Sequence, residues 1–142
     1  MSQSNQNLVD PLLEAVFSIT EYVYSILAEL PEAEKWDTTA KLRSTANELL
    51  YRVALALGSS EPDGAKYDWS SAHKQALAMR TMYRFATKQN FVELEPAIMV
   101  RIDKIINDIV SATARSQERA TQLDQEQLAD LRKENDIFKG IK

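Results

Sequence analysis

Apolar residues recur along this chain at the three- and four-residue spacing of an α-helix. Four rows of this kind are separated by short polar or glycine-containing links. They predict helices over residues 10–30, 34–57, 68–89 and from 94–96 onward. Because no stretch of useful length alternates as a strand does, we predict an all-α protein, an antiparallel up-down four-helix bundle over residues 10–113.

Local signals mark the helix ends. Asp10 before Pro11 favours a helix start, because the carboxylate caps free N–H groups and proline has none to leave unpaired. Asp68 is the candidate N-cap of the third helix, which makes residues 58–68 a loop. The rows predict a core of Leu12, Val16, Ile19, Val23, Ile26, Leu30, Leu42, Ala46, Leu49, Val53, Leu57, Ala72, Ala76, Met79, Met82, Tyr83, Phe85, Ala86, Ile98, Ile102, Ile105 and Ile109. Trp36, Trp69 and Tyr83 are interpreted as core or interface anchors.

The first helix carries a second apolar row beside its core row. This row consists of Leu13, Phe17, Tyr24 and Leu27. It indicates either packing between subunits or a central position in a monomeric bundle, and both alternatives stay open.

The two ends of the chain differ from the bundle in composition. Residues 1–9 are polar and are expected to be disordered. In residues 114–142, six acids balance six bases and the apolar content falls. This tail is either a frayed, solvated extension or a continuation of the fourth helix, with Leu123, Leu128, Leu131, Ile137 and Phe138 available to a partner.

Composition argues against catalytic and membrane functions. The 142 residues include no Cys, so thiolate nucleophiles and Cys-based metal sites are excluded, and no apolar run approaches a membrane span. A di-iron bundle has Glu three residues before a ligating His, but the residue three before His73, the only His, is Ser70. The pattern around His73 indicates a solvated surface residue. The three Gly are isolated, which excludes a phosphate-binding loop. We expect a cytoplasmic protein that is not an enzyme and needs no cofactor or metal.

The most informative feature is a run of bases on the third helix. Residues 69–92 contain no Asp or Glu, although the chain has a net charge of −4. At helical spacing, one side of this segment carries Lys74, Arg80, Arg84 and Lys88, which we call the cationic face. These bases either pair with acids of a neighbouring helix, such as Glu48 or Asp103, or bind an anion, for example a nucleic-acid backbone or an acidic protein.

The second helix offers two weaker candidates, Arg43 and Arg52. The alternative for both is a side chain that lies along the bundle surface, beside Glu48 or Tyr51.

Two segments, "LPEAEKWDTTAKLRSTANELL" and "SSAHKQALAMRTMYRFATKQNFVEL", resemble a bacterial four-helix-bundle family. Its members include the proteins encoded in 23S rRNA intervening sequences and the accessory variability proteins of diversity-generating retroelements. Pro31-x-x-Glu34 and "KLRSTA" are similar to the family's turn and Leu-Arg-Arg-Ala-Ala segment. "AMRTMYRFA" is similar to the Leu-Arg-x-x-x-Arg helix of the accessory proteins, with Arg80 and Arg84 at its two arginines. The chain differs at "RVALA", where the intervening-sequence branch has Asn-Ile-Ala-Glu-Gly.

The resemblance implies a pentameric, barrel-like assembly that associates with a reverse transcriptase and its template RNA through basic residues. On this basis we expect a non-catalytic accessory or scaffold protein of a diversity-generating retroelement. The alternative is a protein-interaction module of the same family, whose charged tail recruits a partner and which does not bind nucleic acid.

Overall fold

A computed structural model describes residues 10–139, and all regular structure in this range is helical. Four α-helices follow one another with a 3₁₀ turn, Glu32–Glu34, in the first connection. They are α1 (Pro11–Leu27), α2 (Thr38–Gly58), α3 (Pro62–Lys88) and α4 (Pro96–Lys139). The predicted all-α four-helix bundle is therefore confirmed. The expectation of a disordered segment over residues 1–9 lies outside the described residues.

Short connections reverse the chain between consecutive helices and leave α1 next to both α2 and α4. The pairs α1–α2, α2–α3, α3–α4 and α1–α4 pack side by side, whereas α1 and α3 stand diagonally opposite. This order places one side of α3 toward α2, another toward α4, and a third toward solvent.

The predicted apolar rows form most of the core. Val16, Ile19 and Leu49 are among the residues with almost no exposed surface. Row positions that remain partly or well exposed are Leu12, Leu57, Met82 and Phe85. At the end of α2, Ala56 is buried in the place predicted for Leu57. Leu57 lies one residue further around the helix, outside the side of α2 that packs in the core.

Trp36 was predicted to be a core or interface anchor, and it does not pack in the core. Its side chain is 81% exposed, because the residue lies in the link between the 3₁₀ turn and α2 rather than on a helix. The ammonium group of Lys35 lies 5.3 Å from the centre of its ring. Trp69 and Tyr83, the other two predicted anchors, are buried.

The start of α3 also differs from the sequence prediction. The helix begins at Pro62, six residues before Asp68, with Glu61 extended at the N-cap position. Proline at the first helical position needs no N–H partner, so "EPDG" begins a helix here instead of continuing the loop. By contrast, α1 begins as predicted, with Asp10 Oδ1 accepting from the backbone N–H groups of Leu12 at 2.8 Å and Leu13 at 3.3 Å.

A tyrosine pair connects the diagonal helices α1 and α3. The hydroxyl oxygens of Tyr22 and Tyr83 lie 3.1 Å apart, and the rings meet edge to face with centroids 5.9 Å apart. The backbone N–H of Glu95 donates to the Tyr83 hydroxyl oxygen at 3.1 Å, and either tyrosine hydroxyl can donate to the other. Burial, followed by the hydrogen bond with Tyr83, raises the pKa of Tyr22.

Beyond the bundle, α4 continues as one helix through the region predicted to be a charged tail. Its last buried residue is Ala112, and every residue from 121 to 137 is exposed. The helical alternative for this tail is thus confirmed as far as Lys139. Twenty residues of helix correspond to about 30 Å, so α4 extends well past the packed part of the protein.

Candidate anion-binding face

The cationic face owes its position to the apolar side of the same helix. The buried residues of α3 are Ala65, Trp69, Ala72, Ala76, Met79, Tyr83 and Ala86. Because these residues fix the rotation of α3 in the bundle, Lys74, Arg84 and Lys88 point to solvent, and all three are exposed. None of the three has a carboxylate within ion-pair distance among residues 10–139.

Arg80 lies at the edge of this face, against α4. Its Nε donates to Asp103 Oδ1 at 2.7 Å, and the two side chains are 34% and 50% exposed. Pairing with Asp103, one of the two alternatives from the sequence, is therefore correct for Arg80. Within the described part of the chain only Nε is engaged, so the terminal nitrogens keep their four N–H donors for another acceptor.

Arg80, Thr81, Arg84, Phe85 and Lys88 line a shallow surface depression of about 280 Å³. Phe85 was predicted on the core side of α3 but is 43% exposed, because it lies at the boundary between the buried and the solvent sides. Its ring packs edge-on against Phe91, with centroids 6.4 Å apart. The depression thus combines cations with an accessible aromatic ring, the pair of features with which proteins hold single-stranded nucleic acid.

The charges of this face repel one another. Arg84 and Lys88 are one helical turn apart, and such like-charge pairs cost about 0.2–0.5 kcal/mol each. No Asp or Glu of residues 69–92 offsets them, and Asp103 is already hydrogen-bonded to Arg80. A bound phosphate or carboxylate would relieve this repulsion, so the face is suited to an anion.

Arg52 does not belong to this face. Its Nε donates to Glu48 Oε1 at 2.9 Å and its Nη1 to Asp68 Oδ1 at 3.0 Å. The guanidinium carbon also lies over the rings of Tyr51 and Tyr67, at 5.6 and 5.4 Å from their centroids. The hydrogen bond with Asp68 is the main cause of the raised pKa of Arg52.

The structure therefore assigns Arg52 to the link between α2 and α3, as in the surface-packing alternative, and not to an open cationic site. Sequence reasoning missed Asp68 as its partner because Asp68 was interpreted as a helix cap.

Arg43 stands apart from the other candidates. It is exposed and lies nine residues before Arg52, which places the two arginines on opposite sides of α2. On this side of the helix the amide of Asn47 donates to the Tyr24 hydroxyl of α1 at 2.6 Å. The structure therefore does not bring Arg43 to the cationic face of α3.

The described residues contain no group of three or more His, Cys, Asp or Glu side chains arranged to hold a metal ion. His73, predicted to be a solvated surface residue, is half-buried and lines a small depression with Val110 and Gln117, because it lies on the side of α3 that faces α4. None of the helices within residues 10–139 combines the length and apolar character needed to cross a bilayer.

Comparisons with family models, with curated proteins and with solved structures find no match to this chain. The resemblance noted from the sequence motifs stays a prediction, and the assignment of a site depends on the contacts and charges described above.

Proposed function

We propose that this protein is a non-catalytic accessory or scaffold protein that binds RNA through the cationic face of α3. Lys74, Arg84 and Lys88 would contact phosphates, with Arg80 contributing its terminal nitrogens. The observation that carries this proposal is the exposure of these three bases without a carboxylate partner in the described range. In keeping with the resemblance, we further propose a cytoplasmic, pentameric assembly whose RNA is held together with the reverse transcriptase of a diversity-generating retroelement.

The chemistry of the face fits a single-stranded backbone. The Arg84 guanidinium offers planar, bidentate hydrogen bonding to a phosphate, while Lys74 and Lys88 act as point charges. Phe85 provides a ring on which an unpaired base can stack, which typically contributes about 1–3 kcal/mol. The contacts involve the backbone and the base plane, so the binding would depend little on sequence.

Salt dependence tests the proposal. Three phosphate contacts on a single strand predict a slope of about −2 in a plot of log affinity against log salt concentration. We expect fluorescence anisotropy with a single-stranded RNA to give this slope, and the double variant Arg84→Ala/Lys88→Ala to lose most of it. Arg43→Ala is the matched control, because it removes an exposed arginine elsewhere on the bundle.

The absence of binding at about 50 mM salt would refute the RNA-binding function, and so would an equal loss in the Arg43→Ala variant. The retroelement assignment has a separate test. A reverse-transcriptase gene and variable repeats next to the gene for this protein would support it, and their absence would count against it.

A second candidate function is a protein-interaction module that does not bind nucleic acid. The C-terminal part of α4 favours it, since Leu123, Leu128, Leu131 and Ile137 are exposed on a helical segment with no packing partner among residues 10–139. Large exposed apolar residues of this kind mark interaction surfaces. In this case the salt titration would show no RNA binding while a protein partner still bound to residues 123–137.

A further inference from the structure

The exposed segment of α4 carries a stripe of defined chemistry. Leu123 and Leu131 are eight residues apart, which puts them on one side of the helix at a separation of about 12 Å. Three acids share that side, within an arc of about 120°. We call this set, Leu123, Asp124, Asp130, Leu131 and Glu134, the tail stripe. The two bases of residues 121–137, Arg132 and Lys133, lie outside the arc of the tail stripe.

The solvent side of α3 carries a stripe of the opposite charge. Leu77 and Phe85 are also eight residues apart, and each is 43% exposed. Three bases share an arc of about 100° with them, and no acid interrupts it. We call this set, Lys74, Leu77, Arg84, Phe85 and Lys88, the outer stripe of α3.

The two stripes match in spacing as well as in charge. When the helices are placed antiparallel with Leu131 level with Leu77, Leu123 comes level with Phe85. The same alignment brings Asp124 level with Arg84, and it brings Glu134 level with Lys74. Two apolar contacts would then be flanked by two opposite-charge pairs, the arrangement that helix pairs use to fix partner and direction.

The tail stripe cannot reach the outer stripe of its own molecule. Arg119 lines the same surface depression as Ser59 and Glu61, at the end of the bundle where α3 begins. From there α4 continues away as one helix, without Gly or Pro up to Lys139. The outer stripe begins a further twelve residues along α3 in the opposite direction, so its occupant has to be another molecule.

We propose that the tail stripe binds the outer stripe of α3 in a second copy of this protein. The contact is heterologous, because each molecule offers one surface and uses the other, so copies join head to tail into a ring or a chain. This self-association does not depend on the proposed RNA binding. If both occur, the tail and RNA compete for Arg84, Lys88 and Phe85.

Sedimentation velocity of the full chain at about 50 mM salt tests the contact. We expect concentration-dependent association that weakens as salt rises, because part of the contact consists of exposed ion pairs. Arg84→Glu and Asp124→Arg should each raise the dissociation constant at least about tenfold, since each puts like charges level with one another. Combining both substitutions in one chain restores the opposite pair with its sign reversed, and should bring the constant back to within about threefold of the original.

Two control variants reverse a charge on the opposite side of the same segment. Arg132→Glu and Asp136→Arg should change the dissociation constant less than about twofold, and circular dichroism establishes that every variant is folded. A protein that stays monomeric at all concentrations overturns the proposal. So does an association that Asp124→Arg leaves unchanged, or a double variant no better than the single ones. Because RNA is absent from this experiment, its failure leaves the RNA-binding proposal to its own test.

Discussion

Arg80 and Asp103 join α3 to α4 through a hydrogen bond of 2.7 Å between Nε and Oδ1. One turn further along α3, Arg84 is exposed and has no carboxylate partner in the described range. The sequence predicts the same role for both arginines, yet their surroundings in the structure differ. Arg80 contributes to the packing of two helices, whereas Arg84 is available to an external anion.

Unfolding experiments should separate these two roles. We expect Arg80→Ala to lower the free energy of unfolding by about 0.2–1 kcal/mol, the range measured for exposed ion pairs. Arg84→Ala should leave it unchanged or raise it slightly, because a like charge next to Lys88 is removed. Urea denaturation followed by circular dichroism measures both, and an equal loss in the two variants would contradict the assignment.

Loss of the Tyr83 hydroxyl should destabilise the bundle. In Tyr83→Phe the N–H of Glu95 loses its acceptor and Tyr22 loses its partner, which we expect to lower the free energy of unfolding by about 1–2 kcal/mol. Tyr67→Phe, whose ring is largely exposed, is the control and should change it by less than about 0.5 kcal/mol. Thermal or urea unfolding of the two variants decides, and indistinguishable curves would rule out a structural role for this hydroxyl.

Alkaline pH should weaken the fold through Tyr22. Its pKa in the folded protein is raised above the ordinary value near 10, mainly by burial, so folding favours the neutral phenol. The stabilisation is fully present below pH 10 and declines as pH rises further, because the unfolded chain loses this proton first. We expect the free energy of unfolding to fall more between about pH 9 and pH 11.5 in the native protein than in Tyr22→Phe. Parallel declines in the two proteins would show that Tyr22 is not the group responsible.

The two tryptophans should respond oppositely to substitution. Trp36→Ala is expected to change the free energy of unfolding by less than about 0.5 kcal/mol, because the side chain lies in solvent. Trp69→Ala, which empties a buried site, should cost about 3–5 kcal/mol. Fluorescence provides a second measurement, since Trp36→Phe leaves only the blue-shifted emission of buried Trp69. A red-shifted spectrum in that variant would contradict the burial of Trp69.

Removal of the exposed end of α4 should leave the bundle intact. No residue between 121 and 137 is buried, so a chain that ends after Ala120 should retain its free energy of unfolding within about 0.5 kcal/mol. The helical circular dichroism signal per mole of protein should fall, because the helical residues 121–139 are lost. A loss of stability above about 2 kcal/mol would show that this segment packs against the bundle.

The helical periodicity of the sequence predicted the interior well where the residues lie on helices. Ile98, Ile102, Ile105 and Ile109 repeat at helical spacing and are all buried, since that spacing determines which side of a helix can pack. Periodicity carries no information in a non-helical link, and for this reason Trp36 was misplaced. The start of α3 was misplaced because "EPDG" is compatible both with a turn and with a helix that begins at proline.

The sequence predicted which bases are exposed at the candidate site, but not which acids the arginines pair with. The exposure of Lys74, Arg84 and Lys88 followed from the spacing of bases opposite apolar residues. Which acid faces which base depends on how neighbouring helices pack. Asp103 was therefore only one possible partner of Arg80, and the bond between Arg52 and Asp68 was not foreseen.

Because α4 is one continuous helix, it restricts the orientation of any molecule that binds its C-terminal part. A molecule bound at the end of a flexible linker could rotate freely relative to the bundle. Residues 123–137 instead belong to one continuous helix, which holds a bound molecule in a fixed orientation. The N-terminal part of the same helix contains Asp103, which pairs with Arg80 on α3, the helix that carries Arg84. A molecule bound to the C-terminal part of α4 therefore meets Arg84 at a fixed angle and distance.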